Sequence, residues 1–269
     1  MERLLVLRLE AVGCHAEAVF NGVPLARVGG EQTLLTLPVH EFTLAGGNEI
    51  ELIINPAPPG VPAPAAVPTL QLSDGKLGAS LRLLLPRVGS PAHPTSARTL
   101  AQLDWAPSAD EVYTSPTSLR ERVELPISFP RWRWLEAPVL AESLTPALKA
   151  ELSAYLLEIA LGLARGNLEP LIQAQRLRLE ELALAYQRPL ADDVNRLRSH
   201  LQQLHAIEPF KPVLPTSANL LLRPVAGGRL LECLGLDGGP LLHSPRAGGG
   251  RVAWPLRVAA VEGKFYVLR

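Results

Sequence analysis

The amino-acid sequence predicts two domains of different build, a β-sandwich over residues 1–140 and an α+β domain over 141–269. Three observations carry that prediction. Apolar residues in the first half alternate with polar ones at the two-residue period of a strand. From Leu144 the period lengthens to the 3.6 residues of a helix. After Pro215 the two-residue pattern returns, punctuated by glycine pairs that mark hairpins. Three helices followed by an antiparallel meander give an α+β layer, with the helices on one face of a curved sheet.

The elements follow in order. Leu5, Leu7 and Leu9 alternate with Val6, Arg8 and Glu10 to make a first strand. Ala18–Phe20 runs into Asn21-Gly22, a dipeptide suited to a tight turn between strands. Leu34–Leu37 is a short apolar run ended by Pro38. Gly46-Gly47-Asn48 then feeds a strand at Glu49–Ile54, with Ile50, Leu52 and Ile54 on one face. Ser80–Leu85 and Arg120–Ile127 extend the pattern, and short strands at close spacing indicate a sandwich. Pro56–Pro68 holds six prolines and reads as a stiff polyproline stretch between strands. Val88–Thr99, rich in Pro, Ser and Ala, reads as a loop.

Thr145-Pro146 opens the first helix, a capping hydroxyl before proline in the first turn. Leu148, Leu152, Tyr155, Leu156, Ile159 and Leu163 form its apolar stripe, and Arg165-Gly166 ends it. Asn167 caps a second helix that buries Leu168, Leu171, Ile172, Leu179, Leu182 and Tyr186 and turns Arg176, Arg178, Glu180 and Glu181 outward. Pro189 stops it, and Asp192 opens a third with Val194, Leu197, Leu201 and Leu204 in register. Strands are expected at Asn219–Val225 and Arg229–Leu236 around Gly227-Gly228, at Pro240–His243, and at Val252–Val261 and Lys264–Leu268 around Glu262-Gly263.

Composition narrows the function. Lys plus Arg and Asp plus Glu each number 26, and a neutral chain lacks the basic excess that phosphate contacts demand, so no nucleic-acid partner is expected. Cys14 and Cys233, one in each half, support neither a disulfide framework nor a thiolate metal site. The most apolar helical stretch, Leu144–Leu163, is broken by Lys149, Glu151 and Glu158, so no membrane span is expected. Together with the absence of a leader pattern, these features point to the cytoplasm.

Around Asn21-Gly22 and Gly47-Asn48 through Ile54, the N-terminal half resembles the jelly-roll accessory domains of the galactose-binding-like class. The shared residues encode turns, and the ligands of that class lie on variable loops, so no binding residue carries over. The C-terminal half is similar to the cone-shaped fold of nuclear transport factor two and ketosteroid isomerase, by its order of elements and by no motif. That likeness implies a pocket which serves catalysis in some members and binding alone in others. The combination resembles two-domain proteins of bacterial type, a likeness that implies no activity.

Candidate site residues are few. Trp132 and Trp134 lie on one face of an extended segment and would either stack on a sugar ring, extended by Trp105 or Tyr113, or seal an inter-domain seam. Arg223, Glu232, His243, Arg257 and Tyr266 are the polar strand residues that would line a C-terminal pocket, with Glu232 and His243 as an acid–base pair. The histidines at 15, 40, 93, 200, 205 and 243 show no metal spacing; His200 and His205 stand about 140° apart around a helix. Asp192-Asp193 suits a helix start. Ala247-Gly248-Gly249-Gly250 lacks the Lys-Ser/Thr of a phosphate loop and reads as a hairpin tip. No Gly-x-Ser-x-Gly elbow occurs.

The sequence thus points to a non-catalytic binding or interaction protein, without cofactor or metal, whose partner is a protein in preference to a glycan. An isomerase-like enzyme with a C-terminal pocket and a carbohydrate-binding accessory protein are the alternatives.

Overall fold

A computed structural model describes residues 4–56, 67–70, 77–87, 89–108, 112–126, 128–140, 144–261 and 264–269. The chain is a sheet-rich mixed α and β protein, with mostly antiparallel sheets and four helices among the described residues. It divides into two compact units, the second beginning at Trp132. That division falls a few residues before the expected boundary at 140, because Trp132, Trp134 and Leu140 belong to the second unit.

In the first unit, β1 (Val6–Val12), β2 (Ala16–Phe20), β3 (Val23–Val28), β4 (Leu34–Pro38) and β5 (Gly46–Ile54) are followed by β6 (Val67–Leu70), β7 (Gly78–Pro86), β8 (Ala97–Trp105), β9 (Val112–Ser115) and β10 (Thr117–Leu125). They form two four-stranded sheets, in the orders β4-β1-β7-β8 and β10-β5-β2-β3, and a β6-β9 pair. Alternation does what the pattern predicts: Leu7, Leu9, Leu81 and Leu83 from one sheet and Ile50, Leu52 and Ile54 from the other are buried. The opposite face of β5 pairs across strands, Glu51 with Arg120 at 2.9 Å and Glu49 with Arg122 at 3.3 Å.

Asn21-Gly22 is the two-residue turn of the β2–β3 hairpin, with φ of 51° and 75°, the left-handed conformation that Asn and Gly adopt at least cost. Asn21 is also tied to the β5 turn: its Nδ2 donates to Asn48 Oδ1 at 2.8 Å and its Oδ1 accepts from the Glu49 N–H at 2.9 Å. Asn48, fully enclosed, adds a bond from the Leu44 N–H and donates to the Leu44 and Gly46 carbonyls. The Gly-Asn pattern therefore encodes a network of turn bonds.

Strands β6, β8 and β9 are not among the expected elements, whereas β3 is the strand that the Asn21-Gly22 turn calls for. β8 has exposed or half-buried residues at most positions, so its apolar signal is diluted, and its start at Ala97 shortens the expected 88–99 loop. Most of the proline-rich 56–68 stretch lies outside the described residues, as do 262 and 263 of the expected last turn.

In the second unit, α1 (Pro146–Ala164), α2 (Glu169–Ala174), α3 (Arg176–Ala185) and α4 (Leu190–Ile207) precede β11 (Leu221–Val225), β12 (Leu230–Leu234), β13 (Leu242–Pro245), β14 (Arg251–Trp254), β15 (Arg257–Val261) and β16 (Lys264–Val267). Strands β11-β12-β15-β16 make a four-stranded sheet and β13-β14 a separate hairpin whose tip is the 247–250 glycine run. Thr145 caps α1 by accepting the Leu148 N–H at 3.1 Å. Leu152, Leu156, Ile159 and Leu163 of α1 share one core with Leu171, Leu179 and Leu201 of the other helices and Leu231, Cys233, Val258 and Val267 of the sheet.

Two expected elements are divided. The second helix breaks at Gln175 into α2 and α3, giving four helices in place of three, and the 252–261 strand is interrupted by Pro255-Leu256. Proline supplies no N–H to a ladder, which explains the second break. At Gly162 a Cβ would stand 2.9 Å from both the Asn167 carbonyl oxygen and Pro170 Cγ, so glycine lets α2 lie close against α1.

Candidate functional site

The sheet register brings three of the expected pocket residues together. Arg223 faces Glu232 across β11 and β12, and Glu232 faces Arg257 across β12 and β15. Period-two alternation puts all three on the sheet face opposite Leu231, Cys233 and Val258. Glu232 Oε2 accepts from Arg223 Nε at 2.7 Å and Oε1 lies 3.0 Å from Arg257 Nη2. Both oxygens of a buried carboxylate are thus engaged by guanidiniums.

His243 is not part of that cluster. It sits on β13, in the separate hairpin, with Nδ1 2.9 Å from the Pro240 carbonyl oxygen. The expected Glu232–His243 acid–base pair is therefore not hydrogen-bonded, because the two strands belong to different sheets. Tyr266 lies on β16, opposite Ala259 of β15, and lines the cleft described below.

The indoles of Trp132 and Trp134 are 0% and 3% exposed, which withholds both faces from a sugar ring. Over Trp132 lies the Arg269 guanidinium, 5.6 Å from the ring centroid. Arg269 in turn bonds Glu181 Oε2 at 2.5 Å, while Glu181 Oε1 accepts the Arg133 N–H at 2.6 Å. Glu181, expected on the outer face of its helix, is instead buried as the counter-charge of Arg269. Nothing in the local pattern distinguishes it from Glu180, whose partners Arg133 and Arg176 hold its carboxyl below the usual range against a burial effect of opposite sign. Asp193 also departs from a simple helix-start role: it is buried, 2.9 Å from Arg188.

A cleft of about 610 Å³ opens in the second unit where α1, α2 and the start of α3 meet β16. Ile159, Pro170, Ala174, Leu177 and Phe265 give it apolar walls, and Tyr155, Glu158, Gln173, Arg176, Lys264 and Tyr266 bring polar groups to it. The volume falls within the roughly 300–1,000 Å³ of small-molecule sites. The Gly162 contact sets α2 against α1, the break at Gln175 starts a new helix at the cleft's rim, and β16 closes the remaining side.

Tyr155 is the distinctive group. Its ring packs against Phe265 at 5.8 Å between centroids. Among the described residues its buried hydroxyl has no hydrogen-bond partner. Burial pushes the phenol's pKa well up, and charge on Cys233, Tyr266 and Glu158 raises it further. The group is a neutral hydrogen-bond donor across the physiological range, awaiting an acceptor. Lys264, at the mouth of the cleft, has no carboxylate at ion-pair distance among the described residues. The apolar stripe of α1 includes Tyr155 but assigns it to the core, and the lone hydroxyl leaves no sequence signal.

Both cysteines are buried as free thiols. Among the described residues no group of His, Cys, Asp and Glu could hold a metal ion, and no helix is long and apolar enough to cross a membrane. No protein-family model, curated protein or solved structure matches the chain.

Proposed function

We propose that this is a non-catalytic binding protein, in which a β-sandwich of jelly-roll type accompanies an α+β cone that holds a small-molecule site. The carrying observation is the cleft of about 610 Å³ into which Tyr155, protonated and without a hydrogen-bond partner among the described residues, brings a donor between apolar walls. A buried donor left without a partner costs about 1–3 kcal/mol, a penalty that a bound acceptor removes. Binding is favoured over proton transfer because the suspected base, Glu232, is held between Arg223 and Arg257, and His243 is bonded elsewhere. The burial of Trp132 and Trp134 counts against a sugar platform.

The test is a fragment screen by ligand-observed NMR on the full chain. Gln173→Trp, at an exposed position on the cleft wall, fills the space and is expected to abolish the binding of hits. Glu232→Asp, outside the cleft, is expected to leave them bound. Hits that bind equally to Gln173→Trp would refute the assignment of the cleft.

A further inference from the structure

We infer that the ligand of the α1–α2–α3–β16 cleft is an amphipathic monocarboxylate, an apolar alkyl or aryl body carrying one carboxylate. This rests on the cleft being a binding site and adds the chemistry it selects.

Three features of the lining converge on that class. Two cations, Arg176 and Lys264, and one carboxylate, Glu158, face the cleft, so the lining is net cationic. Arg176 is already engaged, its Nε 3.1 Å from Glu180 Oε1, whereas the Lys264 ammonium has no carboxylate at ion-pair distance among the described residues and can meet an incoming anion. A protonated phenol adds a donor and no charge, and donors without a matching acceptor select ligands rich in lone pairs. Carboxylate oxygens satisfy both groups: one can accept from the Tyr155 hydroxyl while the other pairs with Lys264.

The remaining lining limits the rest of the molecule. Gln173 and Tyr266 add only uncharged polar groups, and Ile159, Pro170, Ala174, Leu177 and the Tyr155–Phe265 ring pair supply apolar walls, so the body of the ligand is uncharged and largely apolar. Glu158 disfavours a second anionic group by like-charge repulsion, which separates a monocarboxylate from a phosphate or a dicarboxylate. An amine ligand would find Glu158 but would leave Lys264 facing a like charge and Tyr155 without an acceptor.

The experiment titrates ¹⁵N-labelled full-length protein with 3-phenylpropanoate, its amide and 3-phenylpropylamine, following backbone shifts of α1 and β16. The acid is expected to bind about tenfold or more tightly than the amide, and the amine more weakly still. Lys264→Met is expected to bring the acid down to the amide's affinity without moving the amide, and Tyr155→Phe to weaken acid and amide alike. Lys264 is exposed, so its variant reports on charge and not on folding. Equal affinity for acid and amide, or preference for the amine, overturns the monocarboxylate assignment and leaves the cleft as a site. Shifts at the cleft with none of the three probes overturn nothing less than the binding role itself if Gln173→Trp also leaves every fragment hit unaffected; with fragment hits lost in that variant, the same silence overturns the ligand class alone.

Discussion

Replacing Glu181 by Gln isolates the most deeply enclosed charge pair of the second unit. The Arg269 side chain is 0% exposed and that of Glu181 6%, so neither charge has water to fall back on. Glutamine keeps the shape and can still accept the Arg133 N–H, but it removes the counter-charge that Arg269 meets at 2.5 Å. Breaking a buried pair from one side costs about 3–5 kcal/mol, since the surviving ion keeps its desolvation penalty. A unit of roughly 140 residues unfolds with an entropy near 0.3 kcal/mol/K, so the midpoint should fall by about 10–17 °C. Differential scanning calorimetry of the full chain reads this directly. Adding Arg269→Met removes the buried cation whose Glu181 counter-charge is gone and should recover most of the loss, although the stack on Trp132 goes with it. A Glu181→Gln midpoint within about 2 °C of the parent would refute the reasoning, as would a double variant no more stable than the single one.

Other expectations follow from single contacts. Thr145→Ala deletes the cap on the Leu148 N–H and should cost about 1 kcal/mol in urea unfolding. Asn48→Ala leaves Asn21, Leu44 and Gly46 without their enclosed partner and should cost about 3 kcal/mol, detectable as a lower urea midpoint. Gly162→Ala forces α2 away from α1 at the 2.9 Å contacts; a loss of about 1–3 kcal/mol is expected, with weaker fragment binding because Pro170 lines the cleft. Burial raises the pKa of Cys233 above its ordinary 9.0, so the unfolded thiol ionises first and the native state loses stability as pH climbs past about 9. Cys233→Ala should flatten that alkaline decline in unfolding experiments at pH 8 to 10.5; an unchanged slope would count against burial as the cause.

Taken alone, the sequence determined the local geometry. Asn21-Gly22, the Gly46-Gly47-Asn48 turn, the Thr145 cap and the α1 stripe were all legible because each is set by residues within a few positions of one another. The strands that escaped notice, such as β8, are those whose exposed faces dilute the alternation. Only the tertiary structure decided which charges meet. Arg223, Glu232 and Arg257 converge because three strands stand in register, and Glu181 turns inward because Arg269, 88 positions along the chain, is there to receive it. The same holds for the cleft. Tyr155 and Leu156 share one helical stripe, yet one lines a cavity and the other fills the core, and that difference is made by where α2 and β16 come to rest. Periodicity encodes the direction of a side chain along its own element; what waits there is fixed by parts of the chain that no local window contains.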